Sequence, residues 1–141
     1  MSEFEPTVRA AQDLEAHATE RLRAARELLK LDLYADAVTR AYYAAFSAVN
    51  LLHYLAGDSY SSHRQVLGQF NKHYIHSGIF EKQMGVKLQD LLLKRLKADY
   101  DASARFSHDG TEDTLRNAEW MCEQILTYCR KTYPSFFRGE L

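Results

Sequence analysis

The sequence predicts an all-α protein, an up-and-down bundle of four to five helices in one domain. Three observations carry that expectation. Apolar residues recur at spacings of three and four through most of the chain, the pattern of helix faces that share a core. Only six glycines and two prolines interrupt it, and the prolines stand at positions 6 and 134, outside any long periodic segment. A hydrophobic content of 46% with 12% aromatics belongs to an ordered globular chain. A chain of 141 residues buries about two thirds of the surface it exposes unfolded, so its core needs neither a metal nor a disulfide. Residues 1–141 form a single domain, with residues 1–6 and roughly the last eight as terminal tails.

The first helix is expected from Thr7 to Lys30. Pro6 stops propagation backwards, and Leu14, Ala18, Leu22, Ala25 and Leu28/Leu29 form the apolar stripe. Residues 31–33 are a joint in which Asp32 can cap the next helix. That second helix, Tyr34 to Gly57, is the most strongly periodic segment. Tyr34, Val38, Ala41, Ala45, Ala48, Leu52 and Leu55 give one seam, and Tyr42, Phe46 and Val49 widen it. Such breadth implies a central helix buried on more than one side, and its alanines admit a close neighbour. Gly57 suits a helix C-terminus. A shorter third helix starts at Ser61 or Ser62 and ends near Ile75, with Val66, Leu67, Phe70 and Tyr74 as its apolar face.

The fourth helix runs from Glu81 to Asp101. Leu88, Leu91, Leu92, Arg95, Leu96 and Asp99 fall on one face, apolar apart from the last acid and the arginine. A guanidinium in an apolar stripe is costly unless paired, and Asp99, one turn on, can pair it. Lys94 and Lys97 belong to the solvated side. Tyr100 and Asp101 follow, and residues 102–110 form a loop in which Ser107 or Asp109 can cap. The fifth helix runs from Thr111 to Tyr133, with Leu115, Ala118, Cys122, Ile125 and Cys129 in a row, and Pro134 ends it.

The net charge of -1 provides no global basic field, so contact with RNA or a nucleotide must be local. Cys122 and Cys129 are two turns apart, about 10 Å along a helix, beyond disulfide reach. They read as core thiols of a cytoplasmic protein. The acidic, polar N-terminus has no signal-peptide pattern, and no apolar run is long enough for a membrane span. His73 and His76 lack further ligands at suitable spacing, so neither a metal nor another cofactor is expected. There is no Gly-rich phosphate loop, no nucleophile elbow and no zinc motif. What remains is phosphate chemistry, for which Arg95 can supply the cation and Asp99 and Tyr100 are its neighbours. The same Arg–Asp pair is equally compatible with a purely structural role in helix docking.

ThrArgAlaTyrTyrAlaAlaPheSerAlaValAsnLeuLeu at 39–52 resembles the second helix of the HEPN superfamily, a group of nucleotide-associated helical domains. SerHisArgGlnValLeuGlyGlnPheAsnLysHisTyrIle at 62–75 is similar to the segment that follows it, and ArgLeuLysAlaAspTyrAsp at 95–101 matches an Arg-x-x-Ala-Asp-Tyr signature of one small prokaryotic branch. The resemblance spans residues 10–132. It implies a homodimer that brings two copies of the fourth-helix motif into a cleft, and a minimal nucleotidyltransferase as partner in a toxin–antitoxin pair. In some such pairs the partner adds AMP to a tyrosine near the motif. Many relatives are metal-independent endoribonucleases with an Arg-x4–6-His motif. Here Arg95 is present and the histidine is not: Tyr100, Asp101 and Ala102 occupy the three places where it would fall. The resemblance therefore implies Arg95 and Tyr100 as candidate catalytic residues, and Asp99, His63, Arg64 and Lys72 as candidate binding residues. Two functions stay open, an RNA-acting toxin and a non-catalytic nucleotide- or partner-binding adaptor.

Overall fold

The structure, a computed structural model, describes residues 4–137. Five α-helices follow one another among them: α1 (Val8–Lys30), α2 (Tyr34–Leu55), α3 (His63–Phe70), α4 (Lys82–Tyr100) and α5 (His108–Thr132). A π-helical turn (Asn71–Ile75) extends α3, and a 3-10 turn (Pro134–Phe136) follows α5. α2 is the hub, packed against α1, α4 and α5. Its run of buried alanines (Ala37, Ala41, Ala44, Ala45 and Ala48) has no bulk to hold neighbours away. Ala11, Ala18, Ala25 and Leu29 of α1 present a similarly small face, so these two backbones approach closely. Larger side chains fill the other side of α2, where Leu51 and Leu52 are sealed in one core with Phe70, Leu88, Leu91, Leu115 and Ile125. Burial of this aliphatic and aromatic surface is the main stabilising term.

Side chains cap the helices at the ends that the sequence marks. Thr7, Ser62 and Ser107 each accept a hydrogen bond from the backbone N–H three residues on. At the end of α2, Gly57 takes φ +85°, while its N–H donates to the Tyr54 carbonyl and that of Asp58 to the His53 carbonyl. These two bonds close a Schellman motif, for which a residue without Cβ is the low-strain choice. Gly85 serves packing instead. A Cβ there would lie 3.2 Å from Asn71 Oδ1 and 3.4 Å from Ile75 Cγ2, so glycine lets α4 close against the π turn.

Ion pairs tie α1 to α5 around the rim. Arg26 grips Glu119 with Nε and Nη2 (2.8 and 2.5 Å) and Glu112 with Nη1 (2.6 Å). This holds the Glu112 carboxyl below its usual range, mainly through the Arg26 hydrogen bond. Arg130 pairs with Glu15. Cys122 and Cys129 are buried free thiols, and burial pushes both up to about 12.

Several local expectations are corrected. Asp32 does not cap α2: it adopts the left-handed region (φ 61°) and accepts from the Tyr34 hydroxyl at 3.2 Å. α5 begins at His108, three residues before the expected Thr111, because Ser107 caps it and places Gly110 inside the first turn. Pro134 starts a further turn, whose Phe136 packs on the core together with Phe137; the remainder of the expected C-terminal tail, residues 138–141, lies outside the described residues. At the other end, Phe4 stacks on Tyr54 with ring centroids 5.1 Å apart. Lys94 is half-buried rather than free, pairing with Asp90 (2.8 Å) and donating to Thr114 (3.3 Å). Leu96 leaves the buried stripe, since the inward face of α4 is set by Met84, Leu88 and Leu91 and turns Leu96 outward.

Two glycines should respond oppositely to alanine. Gly57→Ala forces a Cβ into the left-handed region and should cost about 1 kcal/mol, whereas Gly68→Ala, within α3 and facing open space, should stabilise by about 0.5–1 kcal/mol. Urea denaturation of both variants checks the signs.

Candidate functional site

α4 crosses α2 at Tyr42 and Tyr43, which stand within the alanine run, and Arg95 is lodged in that contact. Its side chain is only 16% exposed. A cation this covered needs compensation, and four groups provide it. Asp99, one turn further along α4, puts Oδ2 2.8 Å from Arg95 Nε. The N–H is not aligned on that oxygen, so the contact is charge pairing rather than a hydrogen bond, and the buried Nε keeps an unspent donor. Nη2 donates to the Tyr43 hydroxyl at 2.9 Å. The guanidinium carbon lies 5.5, 5.3 and 6.0 Å from the ring centroids of Tyr42, Tyr43 and Tyr100, within cation–π range of all three. Nη1 has no partner among the described residues.

α2 also restrains the acid. Thr39 donates to Asp99 Oδ1 at 3.0 Å, leaving Oδ2 for the guanidinium. Thr39, Tyr42 and Tyr43 follow the stagger of a helix face, so a single stretch of α2 sets the orientation of both Asp99 and Arg95.

α3 closes the cluster from the third side. His63 is its first residue, directly after the Ser62 cap. Its ring stacks on Phe46 (centroids 4.0 Å apart, 20° between planes) and meets Tyr43 edge-on. Its Nδ1 lies 3.0 Å from the Tyr42 hydroxyl. Burial, then the nearby Arg95 charge, lowers the His63 pKa and favours neutral imidazole. Burial pushes the Tyr42 phenol up to about 12, with Arg95 only partly opposing it.

The candidates from sequence are thus partly assembled. Arg95, Asp99, Tyr100 and His63 come together on one aromatic patch. Arg64 and Lys72 are exposed on α3 and its π turn, and no hydrogen bond, ion pair or ring contact joins either to Arg95 among the described residues. The sequence reading missed Thr39 and Tyr43, and placed Tyr42 only in the core seam. Adjacent phenols at 42 and 43 within an alanine-rich helix are the available signal, because two hydroxyls facing a core demand polar partners. Among the described residues no group of three or more His, Cys, Asp or Glu side chains could hold a metal ion.

Tyr100 links this cluster to the outer face of α4. It is 76% exposed, and Val86, Leu93 and Leu96 are also exposed on the helix. A groove of about 410 Å³ runs beside Leu93, Leu96, Lys97 and Tyr100, and one of about 710 Å³ beside Ile75, Gly85, Val86 and Leu93. These side chains recur at spacings of seven, three and four, one row along the outside of α4.

Known proteins resemble the chain over most of its length. Residues 11–132 match the HEPN domain family. A "UPF0332 protein" from Thermotoga maritima is 33% identical over 108 residues, covering 77% of this chain and 82% of the relative. A Methanocaldococcus jannaschii protein named "Putative toxin MJ0605" is 31% identical over 108 residues, covering 77% and 80%. The crystal structure of TT1696 from Thermus thermophilus superposes with a TM-score of 0.69 at 20% identity, covering 83% of this chain and 96% of that one, a likeness of fold. No helix among the described residues is long and apolar enough to cross a membrane.

The histidines predict how stability responds to pH. Burial lowers His53 (whose Nε2 lies 2.9 Å from the Val66 carbonyl) as it does His63. Both are therefore neutral in the fold at pH values where the unfolded chain already binds protons. Their contribution is fully present above the unfolded value of about 6.5 and is lost as pH falls through the depressed folded values. Thermal unfolding at pH 7.5, 6.5 and 5.5 should show a falling midpoint, with a shallower fall in His63→Gln.

Proposed function

This chain belongs to the HEPN domain family, and from that premise we propose that it is the toxin-like member of a toxin–antitoxin pair, binding RNA phosphate at Arg95 in a cleft between two copies of the chain. The observation that carries the reading is the state of the guanidinium. Three rings and a carboxylate hold it in place, yet Nη1 has no protein acceptor among the described residues. A positioned guanidinium with a donor in reserve matches a phosphate in charge. The surrounding phenols add stacking surface for a base or sugar, the usual supplement to phosphate contacts on single-stranded RNA.

The second copy is proposed to dock on the exposed row of α4. Val86, Leu93, Leu96 and Tyr100 lead directly from the grooves to the Arg95 cluster, so closure over that row would bring two sites together and shield them from water. The proposed protein partner is a minimal nucleotidyltransferase. The toxin name of one relative supports that pairing.

One feature favours a second reading, a binding adaptor without nuclease activity. The imidazole in the cluster has one nitrogen committed to Tyr42, and a phenol is a poor general base at neutral pH. A nuclease assay in EDTA on mixed structured and single-stranded RNA separates the two. The toxin reading predicts cleavage by the wild type and at least a hundredfold loss in Arg95→Ala, roughly what removal of one transition-state charge contact costs. Saturable RNA binding without cleavage, abolished in Arg95→Ala, would select the adaptor. Equal behaviour of the two proteins in both binding and cleavage would reject Arg95 as the site. A charge on the apolar row, Leu93→Glu, should turn the dimer into a monomer in light scattering while leaving the helical content intact.

A further inference from the structure

We infer that His63 works as a neutral hydrogen-bond donor to the ligand, with Tyr42 as the residue that fixes its tautomer, so that Nε2–H and the Arg95 guanidinium take the same anionic phosphodiester of single-stranded RNA. The inference rests on the phosphate-binding reading above and assigns a protonation state and a role within it.

The Tyr42 hydroxyl fixes the tautomer. Tyr42 is fully buried, and His63 Nδ1, 3.0 Å away, is its only hydrogen-bond partner among the described residues. A buried O–H left without an acceptor carries the full penalty of its desolvation. The phenol proton therefore points to Nδ1, which must be unprotonated to receive it. In neutral imidazole the remaining proton is then on Nε2. Protonating Nδ1 as well would strand the Tyr42 proton and place a second cation beside Arg95.

The surroundings agree from every side. α2 presents Tyr42, Tyr43 and Phe46 to the ring, and α4 presents Arg95 with its charge paired by Asp99. Arg64 is the adjacent charge on α3. No carboxylate contacts the imidazole among the described residues, so nothing offsets an imidazolium charge. The lowered His63 pKa has the same direction and the same causes, burial first and Arg95 second.

Nε2 has no protein partner among the described residues, and the imidazole shares the Tyr42 and Tyr43 rings with the guanidinium. A neutral N–H beside a fixed cation is suited to polarise a phosphoryl oxygen. It is not suited to remove a 2′-hydroxyl proton, because the lone pair that could do so is occupied by Tyr42. His63 therefore does not replace the motif histidine as a base. It supplies a second donor to the anion that Arg95 holds.

Two measurements test this. Long-range proton–nitrogen correlation spectra of the ligand-free protein read the tautomer without any ligand. Above pH 6.5 the wild type should show an unprotonated Nδ1 and a protonated Nε2 for His63, and Tyr42→Phe should relax to a mixture. A protonated Nδ1 in the wild type at pH 7 would overturn the assignment. Fluorescence anisotropy with a 2′-O-methylated single-stranded oligoribonucleotide, which cannot be cleaved through its 2′ position, reads the donor role. His63→Ala should weaken binding about tenfold, and His63→Gln, whose amide N–H falls near the place of Nε2, should stay within about threefold of the wild type, as expected for one hydrogen bond to a charged acceptor. Glutamine as weak as alanine, or wild-type affinity that climbs as pH falls from 7.5 to 6, would show a cationic histidine and overturn the inference. Absence of oligonucleotide binding by the wild type would overturn the RNA reading and the donor role together, whereas the nitrogen spectra decide the Tyr42–His63 tautomer independently.

Discussion

The contact between Arg95 and the Tyr42–Tyr43 corner of α2 is the constraint around which the bundle is arranged. A guanidinium on a side chain only 16% exposed is tolerable because the structure surrounds it with a carboxylate, a phenol oxygen and three ring faces. Each of those groups belongs to an element placed by apolar packing. α4 delivers Arg95 and Asp99 because Met84, Leu88 and Leu91 point inward, and α2 delivers Thr39, Tyr42 and Tyr43 because its alanine face is taken by α1. α3 brings His63 because Ser62 caps it and Val66, Leu67 and Phe70 dock it. Core packing and the polar cluster are thus two sides of the same helix crossings.

Much of the architecture was legible in the sequence. The spacing of Ala18, Ala25 and Leu29, of Val38 to Leu55, and of Leu115 to Cys129 identified three long helices, since a 3.6-residue period over so many turns has no competing explanation. The Arg95–Asp99 pair was legible for the same reason, as two charges one turn apart on an apolar face. The ends were read less well. Ser107 and Asp109 both resemble caps, and only the folded chain shows that Ser107 receives the Gly110 N–H. Asp32 resembles a cap too, but the tight joint turns it into the left-handed region.

The polar partners of Arg95 were harder to read because they are set by tertiary structure. Thr39 and Asp99 are sixty residues apart, and Arg95 and Tyr43 fifty-two. No local period encodes such meetings. His63, named from the resemblance as a binding candidate, stands 32 residues before Arg95 in the chain, outside the window in which a motif histidine would be sought, and the fold places it on the same rings. The candidates Arg64 and Lys72 had the right charge and the right element, but helix rotation leaves them exposed while His63 turns inward. Charge alone was a poor guide, and the aromatic pair at 42 and 43 was the stronger signal.

The proposed binding of one RNA phosphate by the Arg95 guanidinium is tested most directly by the salt dependence of binding. A protein that engages phosphates releases counterions, so the slope of log affinity against log salt counts the contacts. For a short single-stranded oligoribonucleotide, replacing Arg95 by Gln should weaken binding at low salt and reduce the magnitude of that slope by about one. The same affinity and slope in both proteins would mean that the guanidinium only fastens α4 to α2, and that the phosphate site is elsewhere.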